Sequence, residues 1–285
     1  MERNVKYSPY VVTFFDILGF RSLVQSEEPF AILNALDGLG CFRDETSLKG
    51  TSVKFVAFSD SVVRARSIPV NADPATLADI LETEVLNLAM AQVNATLNRI
   101  WVRGALCIGD LYIDRNAVFG PGLVKAYDLA SSIAKYPRII VENETLYSLN
   151  REDHNQKLGT LLQQADDGIW FIRYPSALYI QAEHDELGFT PLATFLGEHK
   201  DLIVHGAPPS NSLTGVSLKY NWLARFHNDY VSGLSDEVFA ETDWDRGELF
   251  IPAGVIKSLL PPMGHIVRSQ HDRRKRKCRS RRRSG

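Results

Sequence analysis

The sequence lacks two features that would place the chain in a membrane or in a disulfide-bonded fold. No run approaches the roughly 20 consecutive apolar residues of a membrane-spanning helix, and residues 1–4 (MERN) do not open the apolar core of a signal peptide. The three cysteines, Cys41, Cys107 and Cys278, have neither the paired spacing of a zinc site nor the numbers of a disulfide framework. We therefore expect a cytoplasmic protein without a membrane partner.

Basic residues are scarce outside the C-terminal end. Residues 273–285 contain nine of the 32 Lys and Arg and none of the 34 Asp and Glu, which leaves 23 basic and 34 acidic residues, a net charge of −11, in the remainder. An acidic body repels the phosphate backbone, so the composition argues against a nucleic-acid partner, and any such role would rest on the tail alone. Because like charges repel and cannot form a core, we predict that residues 273–285 form a disordered basic tail.

Two buried strands are each predicted to end at an aspartate. Residues 10–15 (YVVTFF) are β-branched and aromatic and lead into Asp16, and residues 53–58 (VKFVAF) lead into a hairpin turn with Asp60 at its tip. Two ionised carboxylates at neighbouring strand ends raise each other's pKa unless a cation lies between them. Asp16 and Asp60 are therefore candidate ligands of two divalent ions, and oxygen ligands favour Mg²⁺ or Mn²⁺ over Zn²⁺.

The elements that follow predict the fold class. Helical spacing over 73–98, with Asp73 as N-cap, precedes a strand at 100–108, a helix opened by residues 119–122 (FGPG) and a strand at 138–141. The order is β, α, β, β, α, β, α, β, and the Asp60 hairpin requires antiparallel pairing. We expect an α+β protein of the ferredoxin-like (palm) type, a mixed sheet with helices packed on one face.

After about residue 150 the patterns weaken. We predict a strand at 170–174, a helix at 217–231 and a loop at 206–211 between them. There is no internal repeat.

Further polar groups follow the two aspartates. A strand-to-helix turn at Gly19 directs backbone N–H groups toward an anion above the metals, and the Ile17 carbonyl is a further candidate ligand. Arg103 offers a fork of donors for β- and γ-phosphates. Purely structural roles stay open as alternatives: Asp16 and Asp60 could be helix-cap or turn residues, and Arg103 could be a salt-bridge partner of an acidic side chain.

Together, these motifs resemble those of a known family. Residues 14–20 (FFDILGF) resemble the first metal-binding motif of class III adenylyl and guanylyl cyclases, and residues 58–61 (FSDS) resemble their second metal aspartate, with serine where glycine is usual. Residues 102–105 (VRGA) resemble their phosphate-contacting strand, and residues 119–126 (FGPGLVKA) the start of their transition-state helix. The match covers roughly residues 8–145.

The resemblance implies a class III cyclase catalytic domain over 8–145, with an α/β extension over 146–272 packed on it. It implies two metal ions bound by Asp16, Ile17 and Asp60, the two aspartates being catalytic. It also implies a phosphate-binding set, namely Phe15, Leu18, Gly19, Phe20 and Arg103.

Departures from the family bear on the substrate. Purine cyclases usually place a Lys or Glu that reads the base four residues before the second aspartate, where this chain has Val56, which makes no side-chain hydrogen bond. The transition-state Asn and Arg fall on Val124 and Asp128. Four basic residues are candidates to replace them, namely Lys125, Lys135, Arg138 and Arg173.

Residues 126–130 (AYDLA), 136–141 (YPRIIV) and 219–223 (KYNWL) narrow the resemblance to the bacterial pyrimidine cyclases of the Pycsar antiphage systems. This implies a homodimer with active sites at the subunit interface, manganese dependence, and conversion of UTP or CTP to cyclic UMP or cyclic CMP. A separate effector protein would respond to the cyclic nucleotide. Two other readings are another palm-type nucleotidyl enzyme, such as a purine or dinucleotide cyclase, and an inactive cyclase-like nucleotide-binding module.

Overall fold

The computed structural model describes residues 5–43, 48–147, 155–208 and 215–258, so the predicted tail at 273–285 lies outside the described residues. The strands are β1 (Ser8–Ile17), β2 (Val53–Phe58), β3 (Ser61–Ser67), β4 (Val102–Ile113), β5 (Val118–Phe119), β6 (Ile139–Val141), β7 (Leu162–Gln164) and β8 (Trp170–Ile172). The helices are α1 (Phe20–Ser26), α2 (Pro29–Asp37), the 3₁₀ helix η1 (Gly38–Arg43), α3 (Pro74–Leu97), α4 (Pro121–Ser132), α5 (Asn143–Tyr147), α6 (Asn155–Leu161), α7 (Ser176–Ala182), α8 (Thr190–Gly206), α9 (Gly215–Ser232), α10 (Asp236–Ala240), α11 (Arg246–Leu249) and α12 (Ala253–Ser258).

One sheet organises the chain, with the strand order β2-β3-β1-β4-β6-β8-β7 and β5 paired to β4. The first four strands are antiparallel, and helices connect β1 to β2 and β3 to β4. This β-α-β-β-α-β order is the ferredoxin-like arrangement. Since β6 joins β4 in parallel, the sheet is mixed, and the predicted α+β fold class is confirmed.

Helices cover both faces of the sheet. Successive residues Thr13 and Phe14 of β1 point to opposite faces. Arg64, which is opposite Thr13, hydrogen-bonds to Glu84 of α3, whereas the Phe14 ring lies 5.3 Å from the ring of Tyr127 on α4. The prediction of helices on one face was therefore wrong. The parallel connection from β4 to β6 carries α4 across the face that α3 leaves open.

Local sequence signals account for the elements that hold the site. The backbone N–H of Thr76 donates to the Asp73 carboxylate at 2.7 Å, so Asp73 caps α3 as predicted. The β2–β3 hairpin turns over two residues, Ser59 and Asp60, with Ser59 in the left-handed region at φ 56°. The predicted hairpin with Asp60 at its tip is confirmed.

The later part of the chain continues the same sheet. Phe171 of β8 pairs with Ile140 of β6, so strands from both sides of residue 145 share one sheet. The strand predicted at 170–174 and the helix predicted at 217–231 are observed as β8 and α9, whereas α8 was not predicted. The loop predicted at 206–211 begins as α8 ends, and residues 209–214 lie outside the described residues. Within the described ranges, no helix combines the length and apolar character that crossing a bilayer requires.

Candidate active site

Asp16 and Asp60 lie at the same edge of the sheet. In β3, the residue opposite Asp16 is Ser61, which follows Asp60 directly. The backbone N–H of Ile17 also donates to the Asp60 carbonyl at 3.1 Å. The antiparallel register and this hydrogen bond together place the two predicted metal ligands on adjacent strand ends.

Arg103 on β4 is paired with Asp16. Its Nε lies 2.9 Å from Asp16 Oδ1 and 3.2 Å from Oδ2, and its Nη2 lies 3.0 Å from Oδ2. The hydrogen bonds that Arg103 donates to Asp16 raise the pKa of Arg103 despite partial burial, and the negative charges of Asp16 and Asp60 add to this effect. Arg103 thus forms a salt bridge with an acidic side chain, which the sequence analysis kept as an alternative role for this residue. Its role in phosphate binding stays a prediction.

A glycine next to Arg103 permits this pairing. A Cβ on Gly104 would lie 2.5 Å from both the Phe14 carbonyl oxygen and Phe15 Cβ. Because any side chain there would push β4 away from β1, the absence of one lets the strands approach closely. The neighbouring Arg103 is thereby held directly opposite Asp16.

The predicted phosphate-binding segment keeps two backbone donors. Ile17 N–H is used by Asp60 and Leu18 N–H donates to the Trp101 carbonyl at 2.8 Å. Within the parts of the chain that the structure describes, no carbonyl accepts from the N–H groups of Gly19 or Phe20, and Gly19 adopts a left-handed φ of 83°. These two groups could donate to an anion.

The Phe15 side chain has a structural role. It is fully buried, and its ring lies 4.3 Å from that of Phe42 in η1. Only its backbone could contact a phosphate.

The donor set fits a hard divalent cation. No group of three or more His, Cys, Asp and Glu side chains forms a metal cluster in the described ranges. Mg²⁺ is nevertheless commonly held by one or two carboxylates, with water and substrate phosphates completing the shell. Asp16 and Asp60 supply two such carboxylates at one edge. Since Arg103 already engages Asp16, a cation there would share or replace that ion pair.

The predicted base-reading position lies on the same face as Asp16. Val56 is opposite Val63 of β3, and two residues further along Phe58 is opposite Ser61, the partner of Asp16. Residues two apart on a strand share a face. Val56 is half-buried, and its role toward a base stays a prediction.

Three of the four basic residues considered as replacements for the transition-state pair are engaged elsewhere. Lys125 Nζ lies 2.9 Å from a Glu142 carboxylate oxygen and 3.6 Å from one of Glu144. Arg138 is buried and paired with Asp167, and the Arg173 guanidinium lies 4.5 Å from the centroid of the Tyr230 ring. Lys135 is exposed at the end of α4.

The structure adds a residue that the sequence analysis did not single out. Lys219 on α9 is half-buried, and its ammonium lies within the electrostatic range of Arg103 and Asp16. Burial lowers the pKa of Lys219, the positive charge of Arg103 lowers it further, and the charge of Asp16 raises it. In the sequence, Lys219 belongs to the KYNWL motif, which served only to narrow the family resemblance and gave this residue no role of its own.

Neither a protein-family model nor a curated protein matches the chain. Several solved structures of adenylyl and guanylyl cyclases are similar to part of this chain. The adenylyl cyclase CyaB from P. aeruginosa has 17% identity over 59% of this chain and 95% of that chain, with a TM-score of 0.39. The monomeric guanylyl cyclase domain of the RhoGC fusion protein from the aquatic fungus Blastocladiella emersonii has 16% identity over 59% of this chain and 96% of that chain, with a TM-score of 0.42. The guanylate cyclase domain of RhGC from Catenaria anguillulae, in complex with GTP, has 17% identity over 58% of this chain and 96% of that chain, with a TM-score of 0.40. At such identities and TM-scores, these similarities do not establish an activity for this chain.

Proposed function

We propose that this chain is a nucleotidyl cyclase, a phosphorus–oxygen lyase that converts UTP, or alternatively CTP, to the 3′,5′-cyclic monophosphate and pyrophosphate. The observation that carries the proposal is the placement of Asp16 and Asp60 on adjacent strand ends, joined by the Ile17-to-Asp60 hydrogen bond of 3.1 Å. Two carboxylates and an arginine at one edge of a palm-type sheet supply the groups that phosphoryl transfer needs.

In the proposed reaction, a bond forms between the ribose 3′-oxygen and the α-phosphorus, and the bond from that phosphorus to the bridging oxygen breaks. Pyrophosphate leaves and the hydroxyl proton passes to water. Asp16 and Asp60 would hold two divalent ions, Mn²⁺ or Mg²⁺, which when bound polarise the hydroxyl and neutralise the triphosphate. Arg103 and the N–H groups of Gly19 and Phe20 would orient the phosphates.

The choice of a pyrimidine rests on Val56. An apolar side chain on the site face offers no hydrogen bond to a purine edge, and the base must then be selected by the shape of the pocket and by other groups. By resemblance, the product would be a second messenger in bacterial antiphage defence, acting on a separate effector protein.

We also propose a homodimer. Three apolar side chains on the face that carries Asp16 are exposed, namely Phe58 at 82%, Val124 at 60% and Tyr127 at 52%. Apolar surface of this kind beside a site is typical of an interface. A second copy would cover it, and the helix α4 that carries Val124 and Asp128 would then face the site of the partner.

The proposal is tested by incubating the purified chain with ATP, GTP, CTP or UTP and Mn²⁺ and identifying the products by chromatography and mass spectrometry. We expect cyclic UMP or cyclic CMP, and no product from Asp16→Ala. A cyclic purine product would contradict the pyrimidine assignment.

One observation favours a second candidate, an inactive nucleotide-binding module: Arg103 already engages both oxygens of Asp16. Nucleotide binding without turnover of any of the four triphosphates would support that module.

A further inference from the structure

Helix α9 is fixed against the strand that carries Arg103. The side chains of Tyr220 and Trp101 pack against the same small apolar cluster, and Trp101 lies two residues before Arg103. On the same helix, the ring of Trp222 stacks on that of Tyr136, with centroids 5.7 Å apart and an interplanar angle of 9°. These contacts, with Trp101 just before β4 and with Tyr136 shortly before β6, give the first turns of α9 a defined position.

Lys219 lies in these first turns, and its ammonium group is under the electrostatic influence of the site. Its ammonium lies near enough to Arg103 and Asp16 for both charges to act on it. Within the described ranges, no carboxylate lies within ion-pair distance of Lys219, and Asp16 is paired with Arg103. Lys219 and Arg103 repel each other electrostatically, and an anion bound near both would offset that repulsion.

We propose that Lys219 binds the polyphosphate chain of the nucleoside triphosphate together with Arg103, so that the region after residue 146 completes the active site. The inference rests on the proposed function and names a residue for its substrate site. A lysine supplies a compact charge on a flexible stem and can follow a phosphate as the geometry changes. It would also supply a cation that Lys125, Arg138 and Arg173 cannot, since their charges are engaged elsewhere.

The two cations would act in sequence. In the structure Arg103 compensates Asp16. Asp16 would hold a divalent ion, and this would free Arg103 from its ion pair. Arg103 and Lys219 would then both donate to the phosphate oxygens, so that phosphate binding would be coupled to occupation of Asp16.

The test measures binding of inorganic tripolyphosphate by isothermal titration calorimetry, in the presence of Mg²⁺, on the full chain. We compare the wild type with Lys219→Met, which keeps the apolar stem, Lys219→Arg, which keeps the charge, and Lys54→Met as control. Lys54 is exposed on β2, and its loss changes the net charge equally. We expect Lys219→Met to weaken binding at least about tenfold and Lys219→Arg to stay within about threefold of wild type. Lys54→Met should bind like the wild type.

Three results would overturn the inference: no tripolyphosphate binding by the wild type, unchanged binding by Lys219→Met, or an equal loss in Lys54→Met. Misfolding is excluded by thermal unfolding, where Lys219→Met should be as stable as wild type or more stable, because it removes a partly desolvated charge beside Arg103.

Product analysis separates the two hypotheses. If the wild type forms a cyclic nucleotide while Lys219→Met keeps its KM and its tripolyphosphate affinity, the inference fails and the proposed function stands. If binding depends on Lys219 but no triphosphate is cyclised, the phosphate site stands and the proposed function fails.

Discussion

Arg103 on β4 and Asp16 on β1 form a two-pronged ion pair across adjacent strands, with Nε 2.9 Å from Oδ1 and Nη2 3.0 Å from Oδ2. The side chains retain 29% and 18% of their exposure, so the pair is accessible from solvent. A cation that binds Asp16 must therefore compete with a guanidinium already in place.

Removing Arg103 should strengthen metal binding while weakening catalysis. We expect Arg103→Met to raise the affinity for Mn²⁺, without nucleotide, about tenfold, because the competing charged hydrogen bonds are lost. Its turnover should fall, since a phosphate-orienting group is missing. Calorimetric titration with Mn²⁺ measures the first effect, with Arg115→Met, an exposed arginine beyond β4, as control. Unchanged or weaker Mn²⁺ binding would refute the competition.

Asp60 should be essential for turnover but not for folding. We expect Asp60→Ala to lower the rate of product formation about a thousandfold or more, because a lost metal-binding carboxylate costs several kcal/mol of transition-state stabilisation. The side chain is half-buried in a hairpin turn, so the thermal midpoint should change little. Asp110→Ala, which removes an exposed carboxylate from β4, serves as control. Turnover that survives Asp60→Ala would show that the metal assignment is wrong.

A buried ion cluster should dominate the stability of the sheet. Glu84 of α3 accepts hydrogen bonds from Arg64 Nε at 2.7 Å and Arg66 Nε at 2.8 Å, and all three side chains are at most 1% exposed. Neutralising Glu84 leaves two buried guanidinium groups without their shared carboxylate. We expect Glu84→Gln to lower the free energy of unfolding by about 3–5 kcal/mol in urea titrations.

The matched control is Glu144→Gln, at an exposed ion pair with Lys125, which should cost at most about 1 kcal/mol. Similar losses in the two variants would show that the buried cluster contributes no more than a surface pair.

The same cluster shows where sequence reasoning stops. Alternation along β3 suggests that Arg64 and Arg66 face solvent, yet both are buried because α3 returns Glu84 to that face. Local patterns did predict β1 to β4, β6 and β8, the Asp60 hairpin and the Asp73 cap, since these depend on neighbours a few residues away, but they did not predict β5 or β7. The pairing of Arg103 with Asp16 joins residues 87 positions apart, and strand register decides it.

Lys219 could not be predicted for the same kind of reason. Its proximity to Arg103 arises from the docking of α9, which rests on contacts with Trp101 and Tyr136. No spacing along the chain encodes such contacts. The motif resemblance identified the two aspartates, but the residues that modify their charge come from the tertiary packing.

A buried histidine pair should make stability depend on pH. His227 Nε2 must donate to the Leu249 carbonyl at 2.8 Å, so its Nδ1 accepts from His199 Nδ1 at 2.9 Å, and His199 Nε2 accepts from the Tyr174 hydroxyl at 2.7 Å. This chain of donors requires both rings to be neutral. Burial lowers the pKa of His227 from 6.5 to about 4, and burial with the neighbouring His227 lowers the pKa of His199 well below 6.5.

Below pH 6.5 the unfolded chain binds protons that the folded chain does not. We therefore expect the free energy of unfolding to fall from pH 6.5 toward pH 4, by up to about 1.4 kcal/mol per pH unit for each histidine. Urea titrations at a series of pH values measure this slope. His205→Gln, at an exposed histidine, should retain it, and His199→Phe combined with His227→Leu should reduce it. An equal slope in the double variant would assign the pH dependence to other groups.

The exposed face beside the site should decide the oligomeric state. Phe58 is 82% exposed and lies on the same face of the sheet as Asp16. In a two-fold dimer each copy would bury its Phe58 against the other, so we expect Phe58→Ser to weaken association at least about thirtyfold. Light scattering over a dilution series measures this. Phe30→Ser removes an aromatic side chain that is 72% exposed on α2 and should leave the dimer intact.

Turnover provides the second readout of the dimer. If sites are completed across the interface, turnover per Phe58→Ser chain should rise with protein concentration as dimers form, whereas Phe30→Ser should show no such dependence at concentrations where it is dimeric. A monomeric wild type with full turnover would exclude a shared site. In that case Lys219 and Arg103, both supplied by one chain, would have to provide the cationic groups that the proposed dimer was expected to complete.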